Sequence, residues 1–379
     1  MKLNNIPKLR IGDLEARIPI IQGGMSVGVS LSGLASAVAN EGGIGIIGVS
    51  GIGMLEPDFA KNFREANKRA LSQEIRKAKE ATAGPIGVNF LVALTDYEEL
   101  LLVAIEEKAD LVFLGAGLPL MNPKTAAVDR LREGSTKVVT IVSSARAAKI
   151  IFTQWAKKYH HVPDAVVVEG PLAGGHLGFK KEQIEDPDYA LEKLLPEVIA
   201  AIRPFEEPFG KSIPVIAAGG IYTGADIHKF MQLGASGVQM ATRFAATWEC
   251  DASPIFKEAY VRCRKEDIVI INSPVGLPGR AIRNKYLDEV SAGIKKPIKC
   301  PWRCLKTCDF TRAPYCIALA LTNAKKGDLV EGFAFVGANA YRIDKIISVK
   351  ELMESLVEEY EEAAKSQSIH SGSEALNDP

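Results

Sequence analysis

Eight short runs rich in Val, Ile, Leu and Ala recur along the first 245 residues, each bounded by Gly or Pro, with amphipathic and charged stretches between them. They cover 18–22, 43–49, 85–91, 110–114, 137–142, 164–168, 213–217 and 237–240. Within each run the apolar character is continuous, which predicts parallel strands buried on both faces. Eight such strands joined by helices close most economically into a TIM (β/α)8 barrel, so an α/β barrel is expected for 1–245. The stretches between suit an outer ring of helices. In 30–40, Leu31, Leu34, Ala35 and Val38 share one face and Gly42 and Gly43 stop the helix; 63–81 is charged over most of its circumference; 96–108 has Thr95 as its expected cap; 223–233 ends at Gly234.

The chain has 379 residues, 47% of them hydrophobic, enough for a large core. Lys plus Arg is 46 and Asp plus Glu is 46, so no net field favours nucleic acid or an anionic membrane. The N-terminal stretch has no signal-peptide core, and no apolar run approaches the roughly eighteen residues of a membrane span, so the expectation is a soluble, cytoplasmic protein. Past the barrel the rhythm stops. Residues 246–365 read as an appended helical and irregular region: a short apolar run at 267–272, a Pro/Gly loop at 272–280, a cysteine-rich stretch, and helices at 317–326 and 349–364. The tail, 366–379, is expected to be disordered. The apolar face of the last helix, with Leu352, Leu356, Val357 and Tyr360, offers a surface for homodimerisation.

The strand ends point to chemistry, because small and polar residues collect there at one rim, the C-terminal one that carries active sites in this fold. Strand seven reads Ile213-Pro-Val-Ile-Ala-Ala-Gly-Gly-Ile221 and strand eight Gly237-Val-Gln-Met-Ala-Thr-Arg-Phe244. Loops at these two positions commonly bind phosphate on backbone amides, so Gly219, Gly220, Ala241 and Thr242 are candidate phosphate ligands, the Thr242 hydroxyl adding a donor. Glycines that merely permit tight turns are the plainer explanation; the recurrence in both loops favours phosphate. After strand six stands Glu169-Gly-Pro-Leu-Ala-Gly-Gly-His-Leu-Gly178. A lone histidine is usually structural, but His176 lies among glycines on the rim, where it can serve as base or proton donor to a small-molecule substrate. Glu169 could contact a ligand or anchor the loop.

Together, Pro19-Ile-Ile-Gln-Gly-Gly-Met25, Gly87-Val-Asn-Phe90, Glu169-Gly with Ala173-Gly-Gly-His176, Ala218-Gly-Gly220 and Gln239-Met-Ala-Thr-Arg-Phe244 resemble the nitronate monooxygenase family, formerly the 2-nitropropane dioxygenases. The same superfamily includes the flavin-dependent enoyl-acyl carrier protein reductase. The resemblance spans roughly 15–250 and is most specific at Ala-Gly-Gly-His. It implies a barrel holding non-covalent FMN, with Gly24 and Met25 beside the flavin ring, Asn89 on the ribityl-phosphate side, Glu169, Gly174 and Gly175 in cofactor contact, and Gly219, Gly220, Gln239, Met240, Ala241 and Thr242 at the phosphate. His176 matches the histidine that acts on the nitroalkane or positions a reductase substrate. The pattern departs at Gly24, where Pro or Ala is usual, at Ala241, where glycine is common, and at Ser143-Ser144, which lacks a basic residue that some nitronate oxidisers carry there. Two redox readings are implied, nitronate oxidation by O2 and NAD(P)H-dependent reduction of an enoyl thioester. A reading from another class is a flavin-free phosphate barrel, and for an aldolase of that class no rim segment supplies a lysine.

Cys300, Cys304, Cys308 and Cys316 have the spacing C-x3-C-x3-C-x7-C. Were 301–309 helical, the first three would lie on one stripe. The spacing matches no standard ferredoxin or zinc-ribbon pattern, so no metal ligands are assigned. An iron-sulfur cluster or zinc, and buried free thiols or a redox pair, all stay open.

Overall fold

The computed structural model describes residues 6–121, 125–294, 296 and 299–374, with side chains to residue 367. The eight apolar runs form eight strands: β1 (Ile20–Gln22), β2 (Gly45–Gly48), β3 (Ile86–Leu91), β4 (Leu111–Gly115), β5 (Lys137–Val142), β6 (Ala165–Glu169), β7 (Val215–Ala218) and β8 (Gly237–Met240). Their order is β1-β8-β7-β6-β5-β4-β3-β2, all parallel. A bridge between Ile21 and Ile44 joins the two ends, with Gln22 N–H donating to Ile44 O and Ile44 N–H to Ile20 O, both at 3.0 Å. The sheet therefore closes on itself as a TIM barrel.

Along each strand one parity faces the axis and the other the helices, because successive side chains point to opposite faces. Ile21, Ile46, Leu111, Phe113, Val167 and Ile216 belong to the inner cluster, whereas Ile20, Val88, Val112, Val166 and Val238 belong to the outer one. Both are dry, which is why the runs read as continuous. An N-terminal hairpin, Leu9–Ile11 with Leu14–Ala16, places Leu9, Ile11 and Ala16 in the inner cluster and plugs the end of the barrel opposite the rim.

The outer helices are α1 (Ser32–Asn40), α2 (Phe59–Ala81), α3 (Tyr97–Glu106), α4 (Ala126–Glu133), α5 (Ala145–Tyr159), α6 (Leu191–Ile202) and α7 (Gly224–Gln232). α7 carries its own capping box, Thr223 with Asp226. α1 does not: the Asp251 carboxylate, far along the chain, accepts from the N–H groups of Leu31 at 2.7 Å, Leu34 at 3.1 Å and Gly33 at 3.2 Å. Thr95 is not the cap of α3 that the sequence predicts. Its amide donates to the Cys304 carbonyl at 3.0 Å and its hydroxyl points to the same oxygen, because a distant strap docks there.

The appended region contains α8 (Pro254–Val261), β9 (Ile268–Asn272), β10 (Pro278–Ile282), α9 (Lys285–Ser291), α10 (Ile317–Lys326) and α11 (Val349–Glu374). It is less helical than its sequence suggests. The expected loop at 272–280 is a tight turn plus the start of β10, and β9 and β10 form an antiparallel hairpin. Residues 301–309 are not helical either; Pro301 and the left-handed Arg303 (φ 49°) interrupt them. α11 runs to Glu374, through most of the stretch expected to be disordered, and 375–379 lie outside the described residues. Its apolar face is spent within the chain: Leu352, Leu356, Val357 and Tyr360 are buried, and the Tyr360 ring stands edge-on to His228 of α7. That face is not free to meet a second copy. Among the described residues no helix is long and apolar enough to cross a membrane.

The long-range cap gives a direct test. Asp251→Ala is expected to lower unfolding stability by about 2 kcal/mol, because three amides at the start of α1 lose their acceptor. Asp251→Asn, which keeps an oxygen, is expected to lose less. An unchanged urea midpoint in the alanine variant would show that the cap contributes nothing.

Candidate active site

Strand parity decides which side chains reach the mouth. Asn89 sits between the outward Val88 and Phe90, Glu169 shares the inward parity of Ala165 and Val167, and Gln239 follows the outward Val238. Glu169 and Gln239 are both in register with Ala218, on its two sides. Immediately past Ala218 come Gly219 (φ 92°) and Gly220 (φ 89°). Two successive glycines at positive φ turn the chain sharply at the rim and, having no side chains, let a ligand approach the backbone there. A Cβ on Gly219 would lie 2.7 Å from the Gly170 oxygen, so nothing larger fits.

After β8, Ala241 leads into a single helical turn, Thr242–Ala245. The Thr242 hydroxyl accepts the Gly337 N–H at 3.0 Å, which leaves its own proton to donate, and Asn339 Nδ2 donates to Gly220 O at 2.6 Å. Met240 is buried in the outer core and can offer the mouth only backbone. Arg243 is committed elsewhere: it donates to Tyr222 O at 3.1 Å and lies 4.8 Å over that ring.

Across the mouth, Asn89 Nδ2 donates to Gly24 O at 3.3 Å while Asn89 Oδ1 is buried with no partner among the described residues. A Cβ on Gly24 would stand 2.4 Å from Asn89 Cβ, so the glycine found where Pro or Ala is usual is matched to the close approach of Asn89. Met25 N–H donates to Ser30 Oγ at 2.8 Å.

His176 is placed by residues far from it in sequence. Gly175–His176 forms a two-residue third strand on β10, pairing with Arg280 and Gly279. The imidazole Nε2 is 2.7 Å from Ser273 Oγ, and the ring meets Phe335 edge-on at 5.0 Å. Burial pushes the His176 pKa down to about 4, so the ring is neutral at physiological pH. Burial also pushes the Glu169 carboxyl up to about 7, where it can carry a proton. Gly174 is pressed against the backbone of Val336 and Gly337, and Gly178 against Ser143 at the end of β5. Arg280, 5% exposed, sends its guanidinium to the carbonyls of Pro171 at 2.7 Å and Ala173 at 2.5 Å, clamping the histidine loop to the hairpin.

The sequence-predicted residues thus form one arc from Glu169 through Gly219, Gly220, Gln239 and Thr242, and a second pairing of Gly24 with Asn89. Ser273, Arg280, Phe335, Gly337 and Asn339 were not read from the sequence. Their one sequence signal is Ser273-Pro-Val-Gly-Leu-Pro-Gly279 after an apolar run, a turn composition that fits a hairpin.

A family model described as nitronate monooxygenase matches residues 9–359. A probable nitronate monooxygenase of Staphylococcus saprophyticus is 29% identical over 314 residues, 74% of this chain and 79% of that one. A 5-hydroxy-7a-methyl-1-oxo-octahydro-1H-indene-4-carboxyl-CoA dehydrogenase of Mycobacterium tuberculosis is 28% identical over 275 residues, 73% of this chain and 66% of the relative's length. The solved structure of FabK from Thermotoga maritima is 30% identical with a TM-score of 0.70, covering 93% of this chain and 95% of that one.

The two perturbed groups give opposite pH slopes. Glu169, raised from 4.5 to about 7, makes the native state bind more protons in that window, so its contribution to stability is lost as pH rises through it. His176, lowered from 6.5 to about 4, makes the unfolded state bind more protons there, so its contribution is lost as pH falls. Glu169→Gln removes only the first slope. Urea midpoints of the ligand-stripped variant are expected to climb more steeply from pH 5 to 7 than those of the parent; parallel profiles would mean the Glu169 carboxyl titrates normally.

Proposed function

The chain belongs to the nitronate monooxygenase family and is an oxidoreductase, and from that premise we propose that it is an FMN-dependent enzyme oxidising alkyl nitronates with O2 to a carbonyl compound and nitrite. The observation that carries this reading is His176: a half-buried, neutral imidazole in the glycine-rich loop on the rim, held by Ser273.

The residues present suit FMN. The buried, partnerless Asn89 Oδ1 can accept from a ribityl hydroxyl, and the left-handed pair Gly219–Gly220 with Thr242 can take the phosphate on amides and a hydroxyl. Gly24 and Met25 leave backbone to face the ring, and Glu169, protonatable near neutrality, can donate to a ring acceptor without placing a full negative charge beside it. When bound, FMN supplies the electron transfer and the reaction with oxygen. The protein holds the substrate, excludes water, and moves protons at His176.

A neutral His176 can take the acidic α-proton of a nitroalkane or donate a hydrogen bond to a nitronate oxygen; Ser273 Oγ at Nε2 fixes the ring for either task. Val336 packs on the same loop at Gly174 and Phe335 at the His176 ring, which limits the water that reaches one side of the imidazole. The likeness to FabK supports the second reading, an NAD(P)H-dependent enoyl-thioester reductase on the same cofactor scaffold.

The test is the visible spectrum of anaerobically purified protein, titrated separately with a nitronate, NADH and NADPH. Bleaching of flavin bands by the nitronate alone is the expected result. Rapid bleaching by a nicotinamide would replace it with the reductase reading, and absence of flavin after extraction would leave a flavin-free phosphate barrel. His176→Ala is expected to cost about 10²–10⁴ in kcat/KM on a nitroalkane while retaining flavin. Because His176 is lowered to about 4, the parent profile should show no histidine step between pH 5.5 and 7.5; an acid limb near 6.5 would mean the imidazole is solvated.

A further inference from the structure

We propose that Cys300, Cys304, Cys308 and Cys316 bind an iron–sulfur cluster of the [4Fe–4S] class at the rim of the barrel. All four thiols are free, and all four line one cavity together with Leu305, Phe310 and Tyr315. Cys304 lies within electrostatic reach of the other three. Four cysteine ligands around one hollow are the donor set such a cluster takes.

The alternatives fit less well. A single zinc ion, with Zn–S bonds of about 2.3 Å, would draw its tetrahedral sulfurs to about 3.8 Å from one another. Among the described residues no three His, Cys, Asp or Glu side chains are disposed to hold one ion. A cluster spreads its ligands more widely than one ion does, with iron and sulfide filling the middle. Free thiols serving as small apolar groups are fully buried, as Cys250 and Cys263 are, whereas these four are only half-buried and line one cavity.

The surroundings also suit a negatively charged, hydrogen-bond-accepting group. Tyr315, 2% exposed, lines the cavity, and its buried hydroxyl has no partner among the described residues. Unsatisfied buried donors are costly, and cluster sulfides and thiolates accept hydrogen bonds. Cys316 is the residue that precedes α10, so its thiol sits at the amino end of that helix. Arg303 lines the same cavity and brings positive charge.

The strap is fixed to the barrel at a telling place. Lys306 N–H donates to Ala93 O at 2.8 Å, Thr95 N–H to Cys304 O at 3.0 Å, and Leu305 bridges Leu94. Those barrel residues continue directly from β3, whose inward Asn89 faces the mouth. The cluster therefore belongs to the same rim as the candidate active site, yet its ligands share no residue with it.

Iron, acid-labile sulfide, zinc and flavin are to be measured on the full chain, produced with iron supplied and purified without oxygen. About four iron and four sulfide per chain are expected, with a broad absorbance that persists after flavin is extracted. A reduced sample should give an electron paramagnetic resonance signal distinct from any flavin radical. Cys304→Ser and Cys308→Ser are each expected to lose most of the iron, while Cys250→Ser and Cys263→Ser, altering the two cysteines outside the strap, keep it. Should the strap variants fail to fold, the metal content of the parent and reconstitution of its apoprotein with ferrous iron and sulfide decide alone. Stoichiometric zinc without sulfide, full retention of iron in the strap variants, or a parent that neither carries nor takes up iron would each overturn the proposal, whatever the flavin result.

Discussion

The mouth of this barrel is held in shape by a buried cation to which, among the described residues, no carboxylate is bonded. Arg280 lies almost wholly out of water and spends its guanidinium on the carbonyls of Pro171 and Ala173. Those oxygens begin the loop that ends in His176, and Arg280 itself belongs to the strand with which Gly175–His176 pairs. One side chain thus ties a glycine-rich loop, otherwise free to take many conformations, to a hairpin more than a hundred residues away. The cost of desolvating the charge is visible in the guanidinium, whose pKa is pushed down to about 10. Breaking such an arrangement leaves either an unpaired buried charge or unpaired carbonyls, penalties of several kcal/mol. The position of Ser273 against the imidazole, and of Phe335 against its ring, derives from that anchoring.

The barrel was legible because its physics is local and repeated. Parallel strands covered on both faces must be apolar at every position, as 85–91, 110–114 and 164–168 are, and the glycines after β1 and β7 mark where backbone must turn or be approached closely. The rim residues could be read from the strand ends. The rest depends on pairings that leave little trace in one stretch of sequence. Asp251 capping α1 in place of Thr or Ser at its own N-terminus, and Thr95 bonding Cys304 instead of capping α3, are contacts across more than two hundred residues. The β10 half of the hairpin was hidden by its Pro and Gly content, which reads as loop, and the third strand that completes the sheet is only two residues long. Helical periodicity for the cysteines assumed a regular backbone that Pro301 and Arg303 do not allow.

The appended region is best understood as part of the mouth. It meets the barrel beyond β3 through Cys304 and Lys306, beyond β6 through Arg280 and Val336, beyond β7 through Asn339, and beyond β8 through Gly337. Each contact joins a cover residue to a loop that carries, or immediately continues from, a candidate cofactor residue. The barrel contributes amides and a carboxyl at fixed heights on parallel strands, while the cover decides how much water remains and how the imidazole is held.

This division has a chemical consequence. The rim segments that resemble a flavin-binding family lie entirely on the barrel, so they bear on the cofactor and say little about what is oxidised or reduced above it. Selectivity has to come from the residues that overhang the mouth: Ser273 beside His176, Phe335 on the ring, and Ser143, whose small side chain at the end of β5 receives Gly178 closely enough to leave no space for a Cβ there. A basic residue in the place of Ser143 would collide with the loop that carries His176 unless that loop moved. The histidine loop and the strand-five terminus therefore pack directly on each other, and the small side chain of Ser143 is what lets Gly178 come so close.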